Sequence, residues 1–330
     1  YSSAASDVYK RQPVVLISIA LILWKMPNYP AQNRTAKMDF IGILLLIVSS
    51  SAIIYSLVNA AHTDRFNNAT SIEMLILGAI ALISYVVWAA WQKERAVVPL
   101  HLFKFASFDG AGLGLFIAGT VLNGAMLLLP LYFQNVRGMS VINAALALLP
   151  QGAGMLVSRT LTGRLTDQIG AKYVVLGSVV ITFVGTLPFY WFGQQTSYWI
   201  LALILFVRGI GAGGILMPLM ADAYTGMQPG QVPAATIGTR IIQNIGSAFG
   251  SALITTIVTA YSTHQVNVFE RHLKAGTYHV DAAHLQVFKT SHLQAIRLAA
   301  FQQGFLVIAI AAIVIILPTL LLTNKLKAAK

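Results

Sequence analysis

The 330-residue chain contains no cysteine, which removes thiol catalysis, thiolate zinc sites and iron–sulfur clusters and leaves the redox compartment open. Charge is also scarce. Charged residues make up 10% of the sequence, against roughly 25% in an ordinary soluble domain, too few to cover a soluble surface. Acidic residues are the scarcest, 10 Asp and Glu against 22 Lys and Arg. Pro-, Gly- and Ser-rich linkers between soluble domains are missing. So are H-E-x-x-H, G-x-S-x-G, a Walker loop and paired intramembrane carboxylates, so hydrolase, protease and ATPase chemistry has no residues to act with. The sequence calls for no catalytic residue, no cofactor and no metal, and it does not read as an enzyme.

What is present is apolar. Hydrophobic residues make up 57% of the chain and the mean hydropathy is +0.72, which excludes a disordered chain and directs the excess toward lipid. Crossing about 30 Å of hydrocarbon at 1.5 Å per residue takes about 20 residues. Eight stretches qualify: 39–61, 72–91, 110–133, 141–161, 173–193, 198–221, 235–261 and 298–323. The run 13–24 rises only about 18 Å and reads as the end of a truncated span. The expected fold is therefore an all-α membrane bundle of eight complete helices plus one truncated. Residues 1–12 are polar and read as a non-native or disordered flank.

The positions of Lys and Arg give the orientation. With alternate loops assigned to two sides, one side collects Lys25, Arg34, Lys37, Lys93, Arg95, Lys104, Arg159, Arg164, Lys172, Lys325, Lys327 and Lys330. The other holds Arg65, Arg137, Arg271, Lys274, Lys289 and Arg297, the last four in one long loop, 262–297. The first side is read as cytoplasmic, with the tail 324–330 on it. The formal charge of +12 is thus a topology signal, and nucleic acid is not an expected partner, since no basic run with interleaved aromatics stands outside the membrane. Residues 93–109 mix apolar groups with His101 and Lys104 and suit a cytoplasmic interfacial segment.

One connection carries legible chemistry, Gly163-Arg164-Leu165-Thr166-Asp167-Gln168-Ile169-Gly170-Ala171-Lys172. Gly163 and Gly170 allow close helix approach and a tight reversal, and Asp167 can accept hydrogen bonds from Arg164 or from a helix N-terminus. Together they suit a charged latch between two transport states, against the plainer reading of an ordinary basic loop. Arg208 lies ten positions into its span, about 15 Å deep and near the midplane. A cation there costs about 2.5–3.5 kcal/mol on insertion scales, so it faces a cavity or a paired partner, or is bonded to helix carbonyls. Arg240 is closer to its interface and reads as structural.

Gly209-Ile210-Gly211-Ala212-Gly213-Gly214 matches G-x-G-x-x-G in letters, but an apolar helix runs through it and Gln231 stands where the fingerprint needs an acid. Gly209 and Gly213, like Gly246 and Gly250, are four apart and clear one helix face for packing. Five of the seven His, namely His264, His272, His279, His284 and His292, share the long external loop. None forms an i, i+4 pair, so an exposed helical or hairpin cap is expected ahead of a metal site.

The match at Gly163, Leu165, Asp167, Gly170 and Lys172 resembles the G-x-L-x-D-x-x-G-x-[K/R] signature of the major facilitator superfamily. Arg208-Gly209-Ile210-Gly211, the segment 235–250 and Leu127-Leu128-Leu129-Pro130-Leu131-Tyr132-Phe133-Gln134 resemble elements of its fourteen-span drug:proton antiporter branch. The resemblance implies the end of span six at 13–24, a linker pair of helices over 39–92, and a carboxy-terminal six-helix half over 110–323. It implies efflux of lipophilic compounds by proton antiport, in a cell membrane, with a missing amino-terminal half supplying the embedded acids, since Asp39, Glu73, Asp109 and Asp222 fall at span ends. Met126, Tyr132, Phe133, Met155, Phe183, Met217 and Tyr224 suit soft contacts with a lipophilic cation in that cavity. A non-transporting membrane scaffold and a metal-handling membrane protein are the alternatives.

Overall fold

The structure, a computed structural model, describes residues 2–25, 39–62, 68–275 and 284–322. Arg34, Lys37, Arg65, His279 and the lysines of the tail lie outside them. Residues 1–38 and 39–330 form two units. The first holds one helix, α1 (Ser2–Lys25). Its apolar side chains from Val15 to Trp24 are exposed.

The second unit runs α2 (Phe40–His62), α3 (Ala69–Gln92), α4 (Ala106–Asn135), α5 (Val141–Ala147), α6 (Leu149–Ile169), α7 (Ala171–Thr186), α8 (Tyr198–Gly213), α9 (Leu216–Ala223), α10 (Val232–Lys274), α11 (Leu285–Val314) and α12 (Ile316–Leu320). Among the described residues, eight helical segments are long and apolar enough to cross a membrane. They coincide with the eight stretches read from the sequence. Three of them join two helices, α5 with α6, α8 with α9, and α11 with α12.

The boundaries follow from local chemistry. Asp39 starts α2 by accepting the Gly42 amide at 2.8 Å, and Ser140 caps α5 through the Asn143 amide at 3.3 Å. Gly170, at φ +89°, makes the one-residue reversal from α6 to α7 that a side chain would strain. Pro318 has no N–H for the carbonyl four residues back, and α11 yields to α12 at Ile315. The connection from α3 to α4 folds as two 3₁₀ turns, Lys93–Arg95 and Leu100–Lys104. Tyr85 holds it: its hydroxyl donates to the Val98 carbonyl at 3.0 Å and accepts from the Val98 amide at 2.7 Å.

The core is aromatic at one end and glycine-cleared along its length. Tyr132, Phe133, Phe189, Phe301 and Phe305 are buried together, with Phe189 and Phe305 4.7 Å apart and Tyr132 edge-on to Phe305 at 5.7 Å. The Tyr132 hydroxyl donates to the Gly193 carbonyl at 3.2 Å. The most extensive helix contact is α4 on α10, where Gly119 faces Gln243, Gly124 faces Ile254, Gly246 faces Phe116 and Gly250 faces Thr120. In lipid there is no hydrophobic drive between helices, so this close backbone approach supplies the attraction.

The last two spans overrun their expected ends. Helix α10 has 43 residues, about 64 Å of rise, twice the hydrocarbon thickness. Its continuation to Lys274 and the first turns of α11 turn the long loop into a helical hairpin. Phe269 stacks on His292 at 5.0 Å and lies 6.1 Å from Phe288. Sequence hydropathy ends the spans at the polar residues, but those residues continue the helix outside the apolar run.

The glycine contacts are testable by adding one methyl group. A Cβ on Gly250 would lie 2.7 Å from the Thr120 carbonyl carbon, whereas one on Gly163 meets nothing within 4 Å. Gly250→Ala is expected to destabilise the detergent-solubilised chain by about 1–3 kcal/mol through overpacking. Gly163→Ala is expected to leave the unfolding midpoint unchanged or raise it slightly, because alanine is the better helix former by about 0.5–1 kcal/mol. Equal midpoints for the two variants would refute the packing assignment.

Candidate functional site

The most unusual side chain is Arg208, 1% exposed in α8. Helix α8 is wedged between α6 and α7 by glycines on both sides. Gly209 lies against Gln151 and Gly213 against Met155 and Ser158 of α6, while Gly211 lies against Thr182 and Gly214 against Ser178 of α7. Gly185 of α7 sits directly on the backbone of Arg208, where a Cβ would come within 2.7 Å of the arginine nitrogen. The guanidinium is thereby held against α7.

Helix α7 meets it with hydroxyls four residues apart. Ser178, Thr182 and Thr186 are buried on one face. Arg208 Nε donates to Thr186 Oγ1 at 3.2 Å, Thr186 donates to the Thr182 carbonyl at 2.7 Å, and Thr182 donates to the Ser178 carbonyl at 2.8 Å. Ser158 and Thr162 of α6 share a hydrogen bond of 3.3 Å and are buried too. Arg208 Nη2 is buried with no hydrogen-bond partner among the described residues. Both N–H donors of Nη2 thus lack an acceptor, and a desolvated charge with unmet donors favours an anionic or carbonyl group. The sequence reading picked Arg208 and missed its hydroxyl partners; their 178, 182, 186 spacing was the available signal.

A second polar strip lies along α4 and α10. Asn123 donates to Ser247 Oγ at 2.7 Å and to the Gly119 carbonyl at 3.3 Å, and Thr120 donates to the Gly246 carbonyl at 3.0 Å. Ser247, Ser251 and Thr255 each donate to the carbonyl four residues back. Arg240, exposed on the same helix, donates to Gln243 Oε1 at 3.3 Å.

The other expected residues scatter. Within Gly163–Lys172, Gly170 makes the reversal, but Gly163 faces open space and supports no close approach. Arg164 and Asp167 are both exposed and form no hydrogen bond or ion pair with each other in this structure. The contact that does form is from Lys172 Nζ to the Leu320 carbonyl at 3.0 Å, tying the start of α7 to the end of α12. Of the seven residues expected around a cavity, Tyr132 and Phe133 are enclosed in the aromatic core, where their rings are fully used in packing. Met126 and Met217 stand on the outside, 70% and 61% exposed. Met155, Phe183 and Tyr224 are half-buried, Tyr224 bonding Thr239 at 3.2 Å. Among the described residues no cluster of three or more His or acidic side chains could hold a metal.

Residues 28–251 match the Major Facilitator Superfamily. The chain belongs to that family. It is 28% identical over 249 residues to an uncharacterised MFS-type transporter, YhcA of Bacillus subtilis, across 76% of this chain and 46% of the relative. It is 28% identical over 252 residues to the drug efflux pump JefA of Mycobacterium tuberculosis, across 75% of this chain and 49% of that protein. The lincomycin resistance protein LmrB of Listeria monocytogenes is 26% identical over 248 residues, across 75% and 52%. The chain thus spans about half the length of the curated relatives it matches. Among solved structures, a bacterial homolog of the human lysosomal transporter Spinster, inward-facing and occupied, shares the fold with a TM-score of 0.54 at 12% identity, covering 85% of this chain and 66% of that one. The chain is an all-α, multi-pass membrane protein of the major facilitator fold.

A double-mutant cycle separates a structural from a functional Arg208. Arg208→Met keeps an unbranched stem and removes a buried, incompletely paired charge, so the unfolding midpoint in neutral detergent is expected to hold or rise. Thr186→Val leaves the guanidinium with one acceptor fewer and is expected to cost about 1–3 kcal/mol. The combined variant is expected to recover that loss. A midpoint lowered by Arg208→Met as far as by Thr186→Val would make the arginine a structural element.

Proposed function

We propose that this chain is the carboxy-terminal part of a fourteen-span secondary transporter that exports lipophilic compounds in exchange for protons by alternating access. The observation that carries the proposal is the buried Arg208, its Nη2 without an acceptor, on a helix with glycine-cleared contacts on two sides. Such contacts let a helix shift against its neighbours without unfilled volume, and the charged donor gives the moving parts something to exchange. The relatives named as a drug efflux pump and as a lincomycin resistance protein support export of small molecules.

In this reading α2 and α3 are a linker pair between halves. The six spans from α4 to α12 form one half, built as two inverted repeats of three, with its carboxy terminus in the cytoplasm. A second half of similar size faces it, consistent with the coverage of about half of each relative. Substrate binds near the midplane between the halves, and rocking exposes it to either side. Within this chain the acids fall near the ends of spans, Asp109 in the first turn of α4 and the buried Asp222 in the last turn of α9. The midplane proton carrier therefore belongs to the other half. Lys172 on Leu320, with Asp167 free to pair across the cytoplasmic face, serves as the latch between states.

Cells expressing the reading frame with its upstream sequence are expected to accumulate several-fold less ethidium than cells expressing the 330-residue chain alone, and an uncoupler is expected to abolish the difference. Arg208→Met in the longer protein is expected to abolish efflux at unchanged protein level. Efflux that survives the uncoupler would eliminate proton antiport, and full efflux from the 330-residue chain alone would eliminate the need for a second half.

A further inference from the structure

A cleft of about 410 Å³ opens between α4, α10 and α11, apart from the helices that hold Arg208. Its volume lies within the range of small-molecule sites. The register of the three helices grades its chemistry from one end to the other. Helices α4 and α10 run toward the mouth and α11 runs away from it. The inner end is therefore lined by Leu127, Leu131 and Val258 with Thr255, in front of the buried Leu128, Ile254 and Phe301, and the mouth by Asn135, Ser262 and Arg297.

Arg297 immediately precedes the apolar run of α11, and the residues from Leu298 to Leu320 rise about 34 Å, one hydrocarbon thickness. The arginine thus stands at the boundary between hydrocarbon and headgroups. It is exposed and pairs with no other described residue. No acidic side chain lines the cleft, so nothing in the wall competes for the guanidinium. An interfacial arginine alone would only snorkel among headgroups. Here it stands over an apolar slot that begins at its own depth and continues inward.

We propose that this cleft is a binding site for an amphipathic anion, with the acyl chain along Leu127, Leu131 and Val258 and the acidic head on Arg297, assisted by Asn135 and Ser262. A guanidinium binds phosphate or carboxylate through two parallel N–H donors, and the slot discriminates for a ligand that carries a chain. The two sources of such a ligand are an anionic membrane phospholipid and a free fatty acid.

Native mass spectrometry of the whole 330-residue chain in neutral detergent tests the proposal with four probes: dioleoylphosphatidylglycerol, oleate, dioleoylphosphatidylcholine and inorganic phosphate. At least one of the two amphipathic anions is expected to bind saturably and at least ten-fold more tightly than the zwitterionic lipid, with inorganic phosphate not retained. The tighter of the two identifies the source. Arg297→Gln is expected to weaken that binding at least ten-fold and Arg297→Lys by less than three-fold. Leu131→Trp, which fills the slot from a 38% exposed lining position and leaves the charge in place, is expected to weaken it as much as Arg297→Gln. Equal retention of phosphatidylcholine, or unchanged binding in both Arg297→Gln and Leu131→Trp at normal unfolding midpoints, would overturn the assignment.

Discussion

Contact between helix backbones, made possible by glycine, is the constraint on which this structure depends. Lipid tails solvate leucine as well as another leucine does, so apolar side chains that would drive folding in water give these helices no reason to associate. Dispersion at close range and hydrogen bonds across the contact have to do it instead. Helices α4 and α10 meet along Gly119, Gly124, Gly246 and Gly250, and α8 meets its two neighbours along Gly154, Gly185, Gly209, Gly211, Gly213 and Gly214. At that range hydroxyls reach across, as Thr120 does to the Gly246 carbonyl. Many large apolar side chains face outward, as Phe40, Leu44, Ile80 and Ile83 do on α2 and α3.

The same close approach makes Arg208 possible. A guanidinium cannot snorkel from the middle of a span when Gly185 presses on its own backbone, so it has to be met where it lies. Helix α7 meets it with a hydroxyl whose proton is already committed: Thr186 donates to the Thr182 carbonyl and so presents a lone pair to Arg208 Nε. The arrangement fixes the orientation of the charge without neutralising it. A carboxylate in the place of Thr186 would have formed a closed ion pair, expensive to break and slow to exchange. A hydroxyl leaves the cation oriented and the donors of Nη2 unspent.

The sequence made the spans legible because hydrocarbon thickness imposes a length that no local propensity overrides. All eight were found to within a few residues at the ends where apolar character stops and the helix stops with it. At 261 and 298 the apolar runs end before the helices do, where a helical or hairpin cap was expected. Hydropathy reports the solvent, not the backbone, and α10 and α11 remain helical after leaving the membrane. Within the site, Arg208 and the glycine pairs were legible as violations of local rules, a charge and paired backbone gaps in an apolar helix. The hydroxyls of α7 were not, since Ser and Thr are ordinary in spans and only a neighbour's charge gives them a role. The burial of the aromatic and methionine residues was not legible for the complementary reason. Tyr132 and Met126 have the same promise as soft contacts in a sequence, yet one is sealed in the core and the other is 70% exposed, a difference set by helix rotation that no single sequence declares.

The unequal charge of the chain has a structural meaning beyond orientation. Its basic residues at the mouths and in the middle of spans, Arg297, Arg240 and Arg208, are met within this chain by hydroxyls, amides and carbonyls or by nothing. The acids stay at span ends, where Asp39 serves as a helix start and accepts the Trp88 indole at 2.8 Å. Cations distributed in this way cannot settle against one another or against internal carboxylates, so each is satisfied by something brought to it. Arg297 stands over an apolar slot, and Arg208 is buried with Nη2 unpartnered. An excess of Lys and Arg over acid, 22 against 10, thus leaves the described residues with electrostatic demands at Arg208 and Arg297 that they do not meet themselves.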